Sequence, residues 1–188
     1  DPVMAQRIVV NAKCQQPGVW NAIATLLVDR AMAPAFLAQV ARPLGEHKVE
    51  LRADATAGGI LRSAASHPAL AVKDVTDADY FTEYNDFILN VRVVDGVQQA
   101  IEHIAHYGSA HSDAIVTANA ATARRFLDEV DSAVVYWNAS TRFTDGGQFG
   151  MGAEIGISTD KVGARGPMGL EELTSYKWIG LGSGQVRT

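Results

Sequence analysis

The feature that most constrains the fold is a regular alternation of strand patterns and helix patterns between residues 22 and 138. Short apolar or alternating runs predict strands at 22–28, 47–54, 69–75, 86–94, 113–119 and 132–138. Amphipathic patterns predict helices at 34–44, 96–108 and 121–130. A strand that returns through a helix to a neighbouring strand forms a parallel pair. The alternation therefore predicts an α/β domain with a largely parallel sheet that has helices on both faces.

Composition supports a globular domain and argues against two classes of partner. The chain has 188 residues, of which 47% are hydrophobic, so it can bury a substantial core. Its 16 Lys and Arg face 21 Asp and Glu, a net charge of −5 without a basic cluster. This balance argues against nucleic-acid or membrane partners. No apolar run is long enough to cross a bilayer, and no secretory signal is visible in the first residues of the sequence.

Both ends of the chain carry distinct signals. The opening Asp1-Pro2, without a starting Met, suggests a segment of a longer chain. Eight of the 17 glycines fall in 139–170, which has little periodicity and predicts loops near a site or an interface. The last stretch predicts a helical turn and then a strand-like tail, with Tyr176 and Trp178 exposed. Such a tail can pair with a sheet edge of another chain. We therefore divide the chain into an α/β domain, 1–163, and an oligomerisation tail, 164–188.

Open α/β sheets bind ligands at the carboxyl ends of their strands, and three segments are expected there: 11–21, 138–152 and 161–169. The glycines of the third segment can present backbone N–H groups, together with Arg165, to a phosphate or carboxylate. A tight turn with a solvated arginine is the alternative for this segment, and the residues alone leave both open.

Cysteine and histidine supply no strong catalytic or metal pattern. Cys14 stands in a strand-like run without a histidine nearby in sequence, which favours a small buried hydrophobe over a nucleophile. A single cysteine also forbids an internal disulfide and suits a reducing compartment such as the cytoplasm. His103 and His106 have a chelating spacing on a predicted helix but no third ligand, so we expect solvated or capping groups and no metal site. The remaining histidines are expected at the surface: His47, His67 and His111.

Two long motifs identify a family. NASTRFTDGGQFGMGAEIGIS (138–158) and ARGPMGLEELTSYKWIG (164–180) closely resemble the C-terminal segment of the glutamate-5-semialdehyde dehydrogenases, also called γ-glutamyl phosphate reductases. These enzymes belong to the aldehyde dehydrogenase superfamily and act in proline biosynthesis. The resemblance runs from Asp1 to Thr188 and implies the family's catalytic domain with its oligomerisation tail. It also implies that the nucleotide-binding domain, which lies mainly N-terminal to the catalytic motif in the superfamily, is not part of this chain.

The resemblance implies a cytoplasmic, NADP-dependent reduction of an acyl phosphate. In the family, a cysteine thiolate attacks the γ-acyl phosphate, phosphate leaves, and NADPH delivers a hydride to the resulting thioester. Asn11 and the backbone N–H of residue 20 are candidates for stabilising the tetrahedral oxyanion, and Asn21 is also expected at the catalytic site. Glu83 matches the superfamily glutamate that holds the ribose next to nicotinamide. Four residues match positions that contact the glutamyl carboxylate, amine or phosphate: Thr141, Arg142, Asp145 and Arg165. The alternative for both arginines is that they only pin the glycine-rich loops.

The family places its nucleophile in a run like PGVCN, but here the run is Pro17-Gly18-Val19-Trp20-Asn21. Trp20 occupies the position of the cysteine, and an indole cannot attack an acyl phosphate. Cys14 lies six residues earlier and does not match the nucleophile. We therefore expect the chain to be inactive as written, with no NADP bound by the chain alone.

Two accounts fit these departures. The first is a catalytic fragment with a disabling substitution. The second is a repurposed or engineered self-association or ligand-binding module, whose changed positions are expected at one face: Gln16, Trp20, Ala24, Asn85, Asn90 and Trp137. Tryptophan is favoured at interface hot spots, so a homo-oligomer is expected through the tail or through a face bearing Trp20 and Trp137. A degenerate natural paralogue with a packed core stays open.

Overall fold

A computed structural model describes residues 1–64 and 70–188. Its helices are α1 (Pro2–Cys14), α2 (Ala33–Glu46), α3 (Ala55–Ala64), α4 (Asp77–Tyr80), α5 (Gly96–Tyr107) and α6 (Ala120–Glu129). Its strands are β1 (Thr25–Asp29), β2 (Glu50–Ala53), β3 (Ala71–Asp74), β4 (Ile88–Val94), β5 (Ser112–Ile115), β6 (Val134–Trp137), β7 (Gly156–Ser158) and β8 (Gly166–Met168). Two 3-10 turns lie at Thr141–Phe143 and Glu171–Leu173.

The strands form two parallel sheets and a hairpin. The first sheet has the order β1-β4-β2-β3, and all its neighbours run parallel. The second sheet pairs β5 with β6, also in parallel. The hairpin pairs β7 with β8 in the antiparallel sense. The predicted α/β fold with a largely parallel sheet is confirmed, and each of the six predicted strands and three predicted helices overlaps an observed element.

Helices cover the first sheet on both faces. The inner strand β4 shows this, because its successive side chains point to opposite faces of the sheet. Leu89, Val91 and Val93 point into the main core, where α1, α2 and α3 supply the opposing apolar side chains. On the other face, Arg92 reaches His103 of α5, with 2.9 Å between Nη1 and Nδ1. A smaller core, between α5, α6 and the second sheet, is built around Ile101, Phe126 and Val130.

Three helices were not predicted from the sequence: α1, α3 and the four-residue α4. In α1, the Asp1 carboxylate accepts hydrogen bonds from the N–H groups of Val3 (2.9 Å) and Met4 (3.1 Å), and Pro2 suits the first turn. Cys14 is the last residue of this helix, so the strand-like assignment around it was wrong. In α3, adjacent glycines at 58 and 59 weakened the helical signal. The helix forms because Asp54 caps it, accepting from Ala57 N at 2.7 Å, and because Ala57 and Leu61 are buried.

Two histidines expected at the surface are buried. His103 packs edge-on against Tyr80, with ring centroids 4.8 Å apart, and its burial lowers its pKa to about 4. His111 is only 4% exposed. Their apolar surroundings come from tertiary packing, which spacing along one helix or loop does not reveal. His47 and His106 are exposed as expected, and His67 lies outside the described residues.

The C-terminal region differs from its prediction in two ways. Residues 139–170 contain the β7–β8 hairpin as well as loops, and β8 pairs across the proposed boundary at 163/164. The helical turn is present, but residues 174–188 form no strand. Tyr176 and Trp178 are 85% and 90% exposed, as expected. Within the described residues, none of the helices combines the length and apolarity that crossing a membrane requires.

Candidate functional site

A cavity of about 660 Å³ lies between β1 and β5. Trp20, Glu83, His111 and Thr141 are among the residues that line it. The Trp20 side chain is 71% exposed, and its ring meets His111 edge-on with centroids 6.4 Å apart. Trp20 and Glu83, which the resemblance matches to the nucleophile and to the ribose-binding glutamate, therefore line the same cavity.

The loop that carries Trp20 is anchored by Asn21, which is buried. The Asn21 side-chain amide donates to the carbonyl oxygen of Thr144 at 2.8 Å. The Thr141 hydroxyl donates to the carbonyl oxygen of Asn21 at 2.6 Å, and the Arg142 guanidinium donates to its side-chain oxygen. These bonds join residues more than 100 positions apart, and they fix Trp20 at the cavity.

The segment after β6 reaches this loop through a sharp turn at Asn138, whose φ is +57°. Asparagine tolerates this left-handed conformation better than most residues. Its side chain bridges to the end of β5, accepting from Thr117 N at 2.9 Å and donating to Thr117 O at 3.0 Å. The chain then forms the 3-10 turn that presents Thr141 and Arg142 to Asn21.

The site forms at the amino ends of β1 and β5. The prediction that the 11–21 segment lies at the carboxyl ends of the strands was therefore wrong. Trp20 precedes β1, and its partner His111 precedes β5. Thr144 hydrogen-bonds to Ser112, the first residue of β5, with 2.8 Å between their hydroxyl oxygens. The 138–152 segment follows β6 but folds back toward this end, because Asn21 and Ser112 bind it there.

Both predicted arginines make structural contacts. Arg142 also donates from Nε to the side-chain oxygen of Gln15 at 3.0 Å, at the end of α1. Arg165 donates to the Asp131 carboxylate at 2.9 Å and to the Asp131 carbonyl oxygen, which attaches β8 to the loop before β6. These contacts match the loop-pinning alternative, while a role in substrate binding stays a prediction. Arg165 makes no contact with the Asn21 cluster among the described hydrogen bonds.

Three other predicted site residues have different surroundings. The Asp145 carboxylate accepts from the N–H groups of Gly147 (2.8 Å) and Gln148 (3.1 Å), so it stabilises its own loop. Glu83 is exposed where it lines the cavity. Asn11 is exposed on α1, and its amide lies 3.5 Å from the Gln15 side-chain oxygen. The structure therefore does not bring Asn11 to the residues that line the cavity.

The expected single face of changed residues is not observed. Asn90 is fully buried in β4 and donates to the Asp79 carbonyl oxygen at 2.8 Å. Trp137 is 43% exposed at the end of β6, where its indole N–H donates to Thr117 O at 2.9 Å. Trp20 contacts His111 instead. Including Asn90 in a surface patch was wrong, because its side chain is fully buried, with the amide N–H bonded to Asp79 and the side-chain oxygen without a hydrogen-bond partner among the described residues.

Sequence reasoning missed Lys13, which lies beneath the Trp20 loop and is only 3% exposed. It lines a small cavity with residues that include Pro17, Val19 and Asn85. Burial lowers the pKa of Lys13 to about 8, against the opposing effects of Cys14 and Asp86. Burial also raises the pKa of Cys14 to about 11, which keeps this thiol protonated and unreactive at neutral pH.

His111 begins a short polar network behind the cavity. Its Nδ1 lies 2.8 Å from the Ser112 hydroxyl, which donates to Thr144, and the Tyr136 hydroxyl lies 2.8 Å from the same Thr144 oxygen. Burial lowers the pKa of His111, although Glu83 and Glu154 oppose this shift, so the ring is neutral at neutral pH. Across residues 1–64 and 70–188, no group of three or more His, Cys, Asp or Glu side chains is arranged to hold a metal ion.

The fold matches a known structural class. A propionaldehyde dehydrogenase from a Clostridium phytofermentans microcompartment superposes with a TM-score of 0.61 at 14% identity, covering 86% of this chain and 44% of its own. The chain thus has the fold of an aldehyde dehydrogenase catalytic domain.

Close relatives define the family. A γ-glutamyl phosphate reductase from Moorella thermoacetica is 56% identical over 98% of this chain. The crystal structure of a γ-glutamyl phosphate reductase from Thermotoga maritima superposes on all of this chain, with a TM-score of 0.92 and 46% identity. The chain belongs to the γ-glutamyl phosphate reductase family. It spans 42% of the Moorella protein and 44% of the Thermotoga chain, less than half of each. No family model matches the sequence.

Asn21→Ala should destabilise the protein by about 2–4 kcal/mol, because it removes two side-chain hydrogen bonds and leaves the buried Thr144 carbonyl unpaired. Urea unfolding measures this loss, and Asn11→Ala is the control because its amide is exposed. A change below about 0.5 kcal/mol for Asn21→Ala would contradict the anchoring role.

Lys13→Met should raise the free energy of unfolding by on the order of 2–3 kcal/mol at pH 7, because it removes the cost of burying a charged amine. The folded-state pKa of Lys13 is about 8 and the ordinary value is 10.5, so the unfolded chain binds more protons between these values. The parent's stability should therefore rise through this window, and the advantage of Lys13→Met should shrink by pH 10. Denaturant titrations at both pH values test this, with exposed Lys177→Met as the control. An advantage independent of pH would contradict it.

Proposed function

We propose that this chain is the catalytic portion of a cytoplasmic, NADP(H)-dependent γ-glutamyl phosphate reductase of proline biosynthesis, and that it does not catalyse this reduction as written. One observation carries the proposal. Trp20, at the position of the family's nucleophile, opens onto the same cavity as Glu83 and Thr141. The site is therefore assembled around a residue that cannot form a thioester.

The chemistry needs a thiolate at position 20. In the family reaction, its sulfur bonds to the acyl carbon while the bond from that carbon to the phosphate oxygen breaks, and phosphate leaves. The thioester carbon then accepts a hydride, and the C–S bond breaks to release the semialdehyde and restore the thiol. The backbone N–H of residue 20 is the proposed donor to the developing oxyanion. Asn21 holds this loop in place. Asn11 is exposed on α1, so we no longer propose it as a donor to the oxyanion.

Glu83 is the residue proposed to bind the ribose of a dinucleotide cofactor. Its exposed carboxylate stands at the cavity and can accept hydrogen bonds from the hydroxyl groups of a ribose. NADPH would supply the hydride when bound. Because Glu83 is the single predicted cofactor contact in this chain, we propose that the chain alone holds the dinucleotide too weakly to function.

Substrate recognition rests on the turn after β6. Thr141 lines the cavity, and Arg142 brings a guanidinium beside it that can bind both oxygens of a carboxylate. Engaging substrate would require Arg142 to exchange its contacts with Asn21 or Gln15. Asp145 is proposed for the substrate amine, and Arg165, now paired with Asp131, for an anionic group.

Trp20→Cys, made together with Cys14→Ala, should become acylated by an activated γ-glutamyl aryl ester, since it places a single thiol at the nucleophile's position. Mass spectrometry of the protein and release of the aryl alcohol measure the reaction. The matched control is Trp20→Ala with Cys14→Ala, which removes the indole without adding a thiol. Equal acylation of both variants would contradict the proposed site.

We also propose that the chain forms a homo-oligomer through its tail, with 1–163 as the catalytic domain. Five large side chains of the tail are strongly exposed, which is unusual unless a partner covers them: Tyr176, Trp178, Ile179, Leu181 and Val186. The face bearing Trp20 and Trp137 is the weaker candidate, because these two residues contact different elements. The alternative of a repurposed module is not favoured, because the relatives that match this chain along nearly its whole length are reductases.

Light scattering of the chain should give the mass of a dimer or larger species, and removal of 174–188 should give a monomer, because the exposed apolar side chains are lost. Trp20→Ala is the control and should keep the oligomer. A monomer at every concentration of the parent, or an oligomer that survives the deletion, would overturn the tail's role.

A further inference from the structure

One buried ring nitrogen beside Trp20 has no bonding role in the fold. His111 is only 4% exposed, and its Nε2 atom has no hydrogen-bond partner among the described residues. Two other buried side-chain atoms of the described chain are also without a partner, Asn90 Oδ1 and Arg165 Nε. Of these three residues, only His111 lines the cavity together with Trp20. A buried polar atom without a partner costs stability, so its presence at a site indicates a function there.

The neighbouring hydroxyl groups determine which nitrogen of His111 carries the hydrogen. The Ser112 hydroxyl donates its single hydrogen to Thr144, with 2.8 Å between the two oxygens. The Ser112 oxygen must therefore accept from His111, whose Nδ1 lies 2.8 Å away. In the neutral ring, Nδ1 then carries the hydrogen and Nε2 has a free lone pair. The nitrogen without a partner is thus a proton acceptor.

The backbone holds His111 in this position at a conformational cost. Ala110, directly before it, has a φ of +60°, in the left-handed region that alanine rarely adopts. Two hydrogen bonds fix this conformation: Ala133 N donates to Ala110 O at 2.8 Å, and Val134 N donates to His111 O at 3.1 Å. Strained backbone of this kind is concentrated at functional sites. The strain and the free lone pair are separate observations on adjacent residues.

Trp20 lies beside this imidazole. The two rings stand at 68° to each other, with centroids 6.4 Å apart. The same residue holds both sides of the pair, because the Thr144 carbonyl oxygen accepts from Asn21 at 2.8 Å and the Thr144 hydroxyl accepts from Ser112. Position 20 and the imidazole are therefore fixed relative to each other through Thr144.

The charges around His111 suit a group that gains a proton during a reaction. Burial lowers the pKa of His111, and the carboxylates of Glu83 and Glu154 act in the opposite direction. Glu83 precedes β4 and Glu154 precedes β7, so the two negative charges come from separate segments. Tyr136 of β6 reaches the imidazole only through the hydroxyl network. The resting ring is neutral, and the two carboxylates stabilise an imidazolium that forms there.

We propose that His111 is the catalytic base of this site and accepts the proton of a thiol at position 20, directly or through one water. The S–H bond breaks as a bond from Nε2 to hydrogen forms. The sulfur then bonds to the acyl carbon, and the imidazolium gives the same proton to the oxygen of the departing phosphate. The role rests on the proposed function, because it is the thiol of that reaction on which the base acts. In the chain as written, Trp20 supplies no acidic proton, so the base is idle.

The test compares the reactivity of one thiol with and without the base. The first variant combines Trp20→Cys with Cys14→Ala, and the second adds His111→Asn, which cannot accept a proton. The rate of alkylation by iodoacetamide, followed by mass spectrometry from about pH 5 to about pH 10, reports the thiolate fraction. An ordinary thiol has a pKa of about 8.5. With His111 the thiol should ionise at lower pH, and His111→Asn should slow alkylation at neutral pH about tenfold.

The exposed His106 supplies the matched control, since His106→Asn in the first variant should leave the pH profile unchanged. Coincident profiles with and without His111 would overturn the proposed base. Failure of the γ-glutamyl ester to acylate the first variant, with the dependence of alkylation on His111 intact, would count against the proposed substrate and support the base.

The chain as written allows a second measurement that needs no variant to fold. Nitrogen NMR of ¹⁵N-labelled histidine identifies which ring nitrogen of His111 carries the hydrogen. At neutral pH the hydrogen should be on Nδ1, with Nε2 unprotonated. A hydrogen on Nε2 would overturn the role, because that nitrogen would have no lone pair to accept the proton of a thiol.

Discussion

The site depends on the hydrogen bonds of Asn21. They connect the loop before β1 to the turn after β6, two segments that belong to different sheets. Since the sheets share no strand pairing among the described residues, these side-chain bonds position one sheet's site residues against those of the other. A buried carboxamide whose N–H and oxygen both have protein partners favours one arrangement of the segments that it joins. The hydrogen bonds of Asn21 therefore hold Trp20 close to Thr141 and Arg142.

The fold was predictable where secondary structure leaves a periodic signal. Strand β4 and helix α5 follow from the alternation and from the apolar stripe of 96–108. The helix α1 was not recognised, although Asp1 and Pro2 are ordinary helix-start signals, because its apolar residues do not form a clean stripe. Pairing between sheets leaves no local pattern, so the separation of β1 from β5 could not be anticipated.

The site was predictable only in part, for a related reason. The resemblance identified Trp20, Asn21, Thr141 and Arg142 as site positions, and the structure brings them together. It could not show that Arg142 is engaged by Asn21 and Gln15, because those contacts depend on three-dimensional packing. Burial of Lys13 escaped notice for the same reason, since a lysine at the end of a helix is ordinarily solvated.

Because Trp20 is exposed, its effect on the chemistry of the site can be considered apart from its effect on the stability of the fold. Most of the indole lies in solvent, and the bonds that hold its loop are made by the neighbouring residue Asn21. Replacing an exposed side chain leaves no internal cavity and costs little stability. The fold therefore does not require this tryptophan, and the proposed loss of the nucleophile at position 20 is compatible with the assembled positions of Thr141 and Arg142.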